Sequence, residues 1–407
     1  MGRQGRMLAL AGAVTAAGIA ACSDATPTGT TGGTVSPEST HTAGPTHVSV
    51  SGADLLLNGK KWVPHGVQFL GLLSPTATPT ACAGNTGPAY AHLGQAGLDA
   101  AATWDADVVR YQVSQYALNP TNVNAGPTGY SAAYVARVQQ TVAMARQSGF
   151  VVIVSMQHEV CSGDPYDHAM PTADTKRAWD TVAPFWASDD GVMLELFNEP
   201  ELTAKKANWT IWQSGGASIK IDIAGDTTAE TAIGHQDLIN EVRSLGSKNV
   251  LIVDGMHFAK ELDGMPQLTD PMSALVFAAH PFFGSAAAPD SDSNNWPTFF
   301  GNAAATVPVL VTAWNTNNGS CELYYPSLSK TLLSYLSGKQ IGLVAVDFDV
   351  LTTIVSDFNG TPNYFDGGWT CGGGGKTPTG EGPGQLVCQE FRAAKNESTD
   401  RCGPPHP

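Results

Sequence analysis

Residues 192–200 read Val192-Met193-Leu194-Glu195-Leu196-Phe197-Asn198-Glu199-Pro200. The apolar run from Val192 to Phe197 predicts a short buried strand. Pro200 stops it, because proline has no N–H for the ladder. Asn198 and Glu199 are left at the C-terminal tip of that strand, where a parallel α/β fold keeps its chemistry. A carboxyl group beside an amide supplies a proton donor and a hydrogen bond for a sugar hydroxyl, the needs of glycosidic cleavage. The same tripeptide also fits a plain strand-to-loop corner capped by a surface carboxylate. Its neighbours have to separate the two.

Outward from this stretch, short apolar runs alternate with helix-length segments. Strands are predicted at Val63–Phe69, Val108–Val113, Val151–Met156, Val192–Phe197, Val250–Val253, Ala274–Ala279, Val307–Thr312 and Gly342–Phe348. Helices are predicted at Leu98–Trp104, Ala132–Arg146, Thr175–Trp186, Asp237–Leu245 and Ser327–Leu336. This alternation predicts a single (β/α)8 TIM barrel. A doubly wound open sheet is the competing architecture, and the first strand lacks the Gly-x-Gly-x-x-Gly turn of a dinucleotide fold. Ahead of the barrel, Val48–Val50 and Leu55–Leu57 flank Gly52 and lead into Asn58-Gly59. That pattern reads as an N-terminal β-hairpin closing the bottom of the domain.

The chain has 407 residues, of which 14% are charged, and a formal net charge of −15. Clustered Lys and Arg are needed to hold phosphates, so nucleic acid is not an expected partner. At the N-terminus, Arg3 and Arg6 precede the apolar run Met7–Ala20, too short to span a bilayer. Residues 1–21 therefore read as a signal peptide. Ile19-Ala20-Ala21-Cys22 resembles a bacterial lipobox, which implies a lipid on Cys22 and a membrane lipoprotein facing outside; plain secretion is the alternative. Residues 22–46, rich in Thr, Gly, Pro and Ser, cannot form a core and read as a tether. The folded domain is then 47–407. Cys82, Cys161, Cys321, Cys371, Cys388 and Cys402 form an even set, and on an exported chain that predicts three disulfides, with 15 possible connectivities. The glycine-rich segment from Asp366 fails the spacing of a phosphate loop and reads as a disulfide-pinned C-terminal tail. His158-Glu159 opens like a zinc-protease helix, but the second histidine is missing. No metal and no cofactor is expected, and the protein is expected to be a monomer.

With the strand ends placed, residues 48–355 resemble glycoside hydrolase family 5, the cellulase-like branch of the clan A barrels. The carrying motif is Leu196-Phe197-Asn198-Glu199-Pro200, in order with Arg110 after strand two, His158 after strand three and His280 after strand six. The resemblance implies Glu199 as acid/base, with Arg110, His158, Asn198 and His280 around a carbohydrate. Trp314 is the aromatic expected to line the sugar cleft.

The family pattern breaks at strand seven. Val309-Leu310-Val311-Thr312-Ala313-Trp314 puts Ala313 where the nucleophilic glutamate belongs, and Phe282 replaces the tyrosine expected two residues after His280. A retaining glycosidase needs two carboxyl groups about 5–5.5 Å apart. A methyl group can replace neither, and the change should leave Arg110 facing a vacated position. Three readings follow. The chain hydrolyses a β-linked poly- or oligosaccharide with another base, the candidates being Glu322, Asp347 and Asp349. Or it is a catalytically inactive carbohydrate-binding barrel. Or it is an exported structural or adhesive domain.

Overall fold

The computed structural model describes residues 46–73, 93–123, 129–158, 169–220, 229–283, 291–315, 326–351, 353–363 and 381–403. Eight parallel strands close into a barrel in chain order. They are, from strand one to strand eight, His65–Phe69, Val108–Ser114, Val151–Gln157, Val192–Glu195, Leu251–Asp254, Leu275–Ala279, Val309–Trp314 and Gly342–Ala345. Every predicted strand is present, and the last pairs with the first through Leu343 and His65. Strand four ends two residues earlier than the apolar run implies. Leu196 begins a corner instead, and its carbonyl accepts from Trp179 Nε1 at 2.9 Å.

The apolar-looking strands in fact alternate. Val108, Ile153, Met193, Ile252, Val276, Leu310 and Val344 share one buried cluster inside the barrel. Their neighbours Val109, Val152, Leu194, Val253, Phe277, Val311 and Leu343 join a second cluster between the barrel and its helices. Both faces of every strand are therefore buried, which is why period-two alternation is masked by uniform hydrophobicity. The helix Ala132–Gln147 shows how the outer layer forms. Ser131 caps it by accepting from Tyr134 N, and Val138, Val142 and Ala145 make its buried stripe.

The predicted hairpin is a three-stranded ribbon, Val48–Ser51, Asp54–Leu57 and Lys60–Lys61. Val48 and Leu55 pack into the inner barrel cluster from below, and Val48 N donates to Asp190 O just before strand four. The helix Pro383–Ala394 was not predicted. It buries Leu386, Val387 and Phe391, and the Phe391 ring lies 5.0 Å from that of His65. Its end is tied down by the Cys388–Cys402 disulfide. Residues 1–21, Cys22, the glycine-rich segment, Cys82, Cys161, Cys321 and Cys371 lie outside the described residues, as does Glu322.

Candidate active site

The inward positions change from apolar to polar at the C-terminal ends of the strands. Gln68, Arg110, Ser155, Glu195, Asp254 and Thr312 each follow an inward residue by two on its own strand. Their side chains meet in one buried layer. Arg110 is fully buried and central to it. Its Nε donates to Glu195 Oε2 at 2.6 Å, and its Nη2 donates to Ser155 Oγ at 2.9 Å and to Asn198 Oδ1 at 2.7 Å. Nη1 donates to Gln68 Oε1. Arg110 has therefore not lost its carboxylate, contrary to the expectation from Ala313; Glu195 neutralises it.

The structure brings together the four order-matched residues Arg110, Asn198, Glu199 and His280. Glu199 Oε1 lies 2.7 Å from His280 Nδ1, and its side chain is 28% exposed against 0% for His280. Glu199 adopts φ 54°, a left-handed conformation that costs a side-chain-bearing residue on the order of 1–2 kcal/mol. Its N–H is held by Asp254 Oδ2 at 2.9 Å, which helps fix that conformation. The next strand end is strained in the same sense. His257, Phe258 and Ala259 have φ of 58°, 59° and 56°. Their turn is bonded to the Glu199 corner through His257 N to Leu202 O and Phe258 N to Pro200 O. The outcome is an aromatic ring, Phe258, 48% exposed on the turn bonded to Pro200.

Strand seven carries an irregularity between Val311 and Trp314 in its pairing with strand eight. Val311 and Trp314 both belong to the outer core, yet two residues separate them where alternation allows one. Such a bulge re-aims side chains. Thr312 points to the polar layer, with Oγ1 2.6 Å from Glu195 Oε1 and 2.8 Å from His280 Nε2. Ala313 belongs to neither apolar cluster and is 5% exposed.

Other expected site residues lie elsewhere. Trp314 is 1% exposed, and its ring packs on Phe283 at 5.7 Å. No open face remains for a sugar, so its expected role in lining the cleft is corrected. The bulge that turns residues 312 and 313 inward sends Trp314 outward. His158 stacks on Phe197 at 5.3 Å, behind the corner. Asp347 accepts from Gln68 Nε2 at 2.6 Å. Asp349 is held by the N–H groups of Leu70 and Gly71, both at 2.7 Å, so its carboxylate is committed to the backbone after strand one. Phe348, just after strand eight, packs on Trp104 at 5.0 Å.

Burial and charge set the protonation of the layer. Burial alone would raise the Glu195 pKa, but Arg110, with help from His280 and Thr312, brings it down to about 2. Burial and then the Glu195 charge raise Asp254 well above the ordinary carboxylate range, against the pull of Arg110. Asp254 therefore resists ionisation, and it is paired with Glu195. Among the described residues no donor faces its Oδ1, which suits an acid O–H better than a carboxylate oxygen. Burial, then the Asp349 charge, push Asp347 up to about 7, and burial pushes Asp349 up to about 6.

Ligating atoms of Glu195, Asp254 and His280 lie within 4.8 Å of one another. The positive charge there is already supplied by Arg110, and Thr312 occupies the remaining Glu195 and His280 contacts. We assign no ion to this cluster.

The raised pKa of Asp254 has a measurable consequence. The folded chain keeps this proton to a higher pH than the unfolded chain, whose value is near 3.8. Stability therefore falls as pH rises from there to the folded pKa, and stays lower above it. Asp254→Asn keeps an acceptor for Glu199 N–H and a donor for Glu195 but has no proton to lose. The stability of the variant relative to wild type is expected to increase from about pH 4 upward and then level off. Urea denaturation at a series of pH values measures it, and a constant difference would contradict the assignment.

The family model for cellulase (glycosyl hydrolase family 5) matches residues 73–349. The chain belongs to glycosyl hydrolase family 5. No curated protein matches it in sequence. Among solved structures it is similar to a β-glucanase of Saccharophagus degradans in complex with cellotetraose, at 17% identity and TM-score 0.57, covering 86% of this chain and 94% of that one. The catalytic domain of an endoglucanase of Thermobifida fusca matches at 17% identity and TM-score 0.52, with 84% and 96% covered. A β-mannanase of Thermomonospora fusca matches at 14% identity and TM-score 0.50, with 78% and 91% covered. Likeness at these identities speaks for the shared barrel.

Proposed function

We propose that the barrel mouth binds a β-linked oligosaccharide and that Glu199 is its proton donor. The wild-type chain then lacks double-displacement hydrolysis, because Ala313 stands at the attacking position. One observation carries this reading. The Glu199–His280 and Asn198–Arg110 bonds are intact, while the bulge of strand seven turns Thr312 and Ala313 off the outer face and offers no carboxylate. The β-glucanase and β-mannanase likeness supports a β-glucan or β-mannan as the class of ligand. The exposed ring of Phe258 would stack on a pyranose, and Asn198 would orient a hydroxyl.

Calorimetry of the full chain with cellotetraose and mannohexaose tests the reading. Saturable binding of one of them is expected, and no binding of any β-glucan or β-mannan oligosaccharide would contradict it. Phe258→Ala is expected to weaken binding by about tenfold, the scale of one aromatic contact. An unchanged Kd would remove Phe258 from the site.

Asp347 gives a second reading some support. A half-buried carboxyl group raised to about 7 at the end of strand eight is matched to base catalysis near neutral pH. Inverting hydrolysis through Asp347 would be abolished by Asp347→Asn and would yield the opposite anomer. As for location, we propose that the chain is exported and anchored by a lipid on Cys22, with residues 23–46 as the tether. Detergent-phase partition of the mature protein, lost in Cys22→Ala, is the expected result.

A further inference from the structure

The polar layer has a direction of proton donation that can be counted. Glu195 is a carboxylate, so it only accepts. Thr312 Oγ1 lies 2.6 Å from Glu195 Oε1 and has a single proton, which goes to that oxygen. Toward its other neighbour Thr312 can then only accept. That neighbour is His280 Nε2 at 2.8 Å, so Nε2 carries a proton. Among the described residues no competing acceptor is within hydrogen-bond reach of Nε2. Asp254 Oδ2 is 3.8 Å away and Glu195 Oε1 is 3.9 Å away. The second ring nitrogen, Nδ1, faces Glu199 Oε1 at 2.7 Å, and a contact that short needs one proton between the two atoms.

We propose that Thr312 is a positioning residue for Glu199: by accepting from His280 Nε2 it fixes the ring so that Nδ1 shares a single proton with Glu199 Oε1. The proposal rests on Glu199 as the proton donor and adds what orients it. The groups around the ring come from four elements: Arg110 on strand two, Glu195 on strand four, Asp254 on strand five and Glu199 on the corner. Arg110 and Glu195 neutralise each other, and burial raises the pKa of Asp254. Glu199 is the more exposed partner of the ring. Neither Glu195 nor Asp254 could substitute for Thr312 without the ring moving by about 1 Å toward ordinary hydrogen-bond distance.

Nitrogen NMR of the ligand-free full chain, labelled with ¹⁵N-histidine, reads this directly. The His280 signals are identified by their loss in His280→Gln. At neutral pH, Nε2 is expected to be protonated and Nδ1 to be the hydrogen-bonded partner of Glu199. A neutral ring with its proton on Nδ1 and a bare Nε2 would overturn the proposal. Thr312→Val, which removes the acceptor, is expected to convert the single form into a mixture of tautomers, and Thr312→Ser to restore the single form. A valine variant that keeps the wild-type tautomer would also overturn it. If that variant does not fold, the wild-type signature decides alone. No glycan enters the measurement, so a failure of oligosaccharide binding would count against the proposed function and not against this assignment.

Discussion

Ala313→Glu is expected to give the chain retaining hydrolysis of an activated aryl β-glycoside. The substituted side chain would stand on the bulge of strand seven, beside Thr312 and across from Glu199. Two carboxyl groups about 5–5.5 Å apart are what double displacement requires. The gain over wild type should be at least about 10²-fold, the low end of what one positioned catalytic group contributes. Phe282 limits it. Its ring lies edge-on to His280 at 6.4 Å, and it has no hydroxyl to orient the new carboxylate. Adding Phe282→Tyr is therefore expected to raise turnover further. Release of the aryl group measures both variants, and the anomer formed first identifies the route. No gain in either variant, with circular dichroism unchanged, would mean that residue 313 does not face the reacting carbon.

Glu195→Ala is expected to have the largest effect on stability. Glu195 and Arg110 are both fully buried and 2.6 Å apart. Removing one partner leaves the other charge uncompensated, at a cost of about 3–5 kcal/mol. Arg110 would also lose the charge that fixes its plane against Asn198. Urea denaturation measures the loss, and a change below about 1 kcal/mol would show that Arg110 finds another partner. The pH dependence has a definite sign. The Glu195 pKa is depressed from 4.5 to about 2 in the folded chain. Its contribution is therefore complete above pH 4.5 and is lost as pH falls through about 2.

The architecture was legible because short, uniformly apolar runs alternate with helix-length segments along the chain. The corner at Asn198-Glu199-Pro200 could be placed because proline has no N–H to continue a ladder. The supporting residues were harder to see. Glu195, Asp254, Thr312 and Gln68 lie inside runs that read as uniformly buried strands, where a polar residue looks like an interruption. Their signal was parity. Each stands two positions after an inward apolar residue, at the C-terminal end of its strand. The burial of Trp314 was not legible, because the bulge before it reverses the face that simple alternation assigns. Phe258 was hidden too, since nothing local marks His257-Phe258-Ala259 for left-handed backbone. That turn is imposed by its bonds to Pro200 and Leu202. The helix at Pro383–Ala394 follows a glycine-rich stretch that draws the eye to loops, although Pro383 at its first turn is a helix-start signal.

The central claim is that the chain keeps its proton donor and lacks its nucleophile. Wild-type protein incubated with an aryl β-glycoside and sodium azide tests it most directly. Azide would attack the anomeric carbon from the face left open at Ala313, the bond to the aryl oxygen would break, and Glu199 would give that oxygen its proton. The account predicts no turnover without azide and an α-glycosyl azide product with it. Hydrolysis by the wild-type chain without azide, with the β anomer retained, would contradict it.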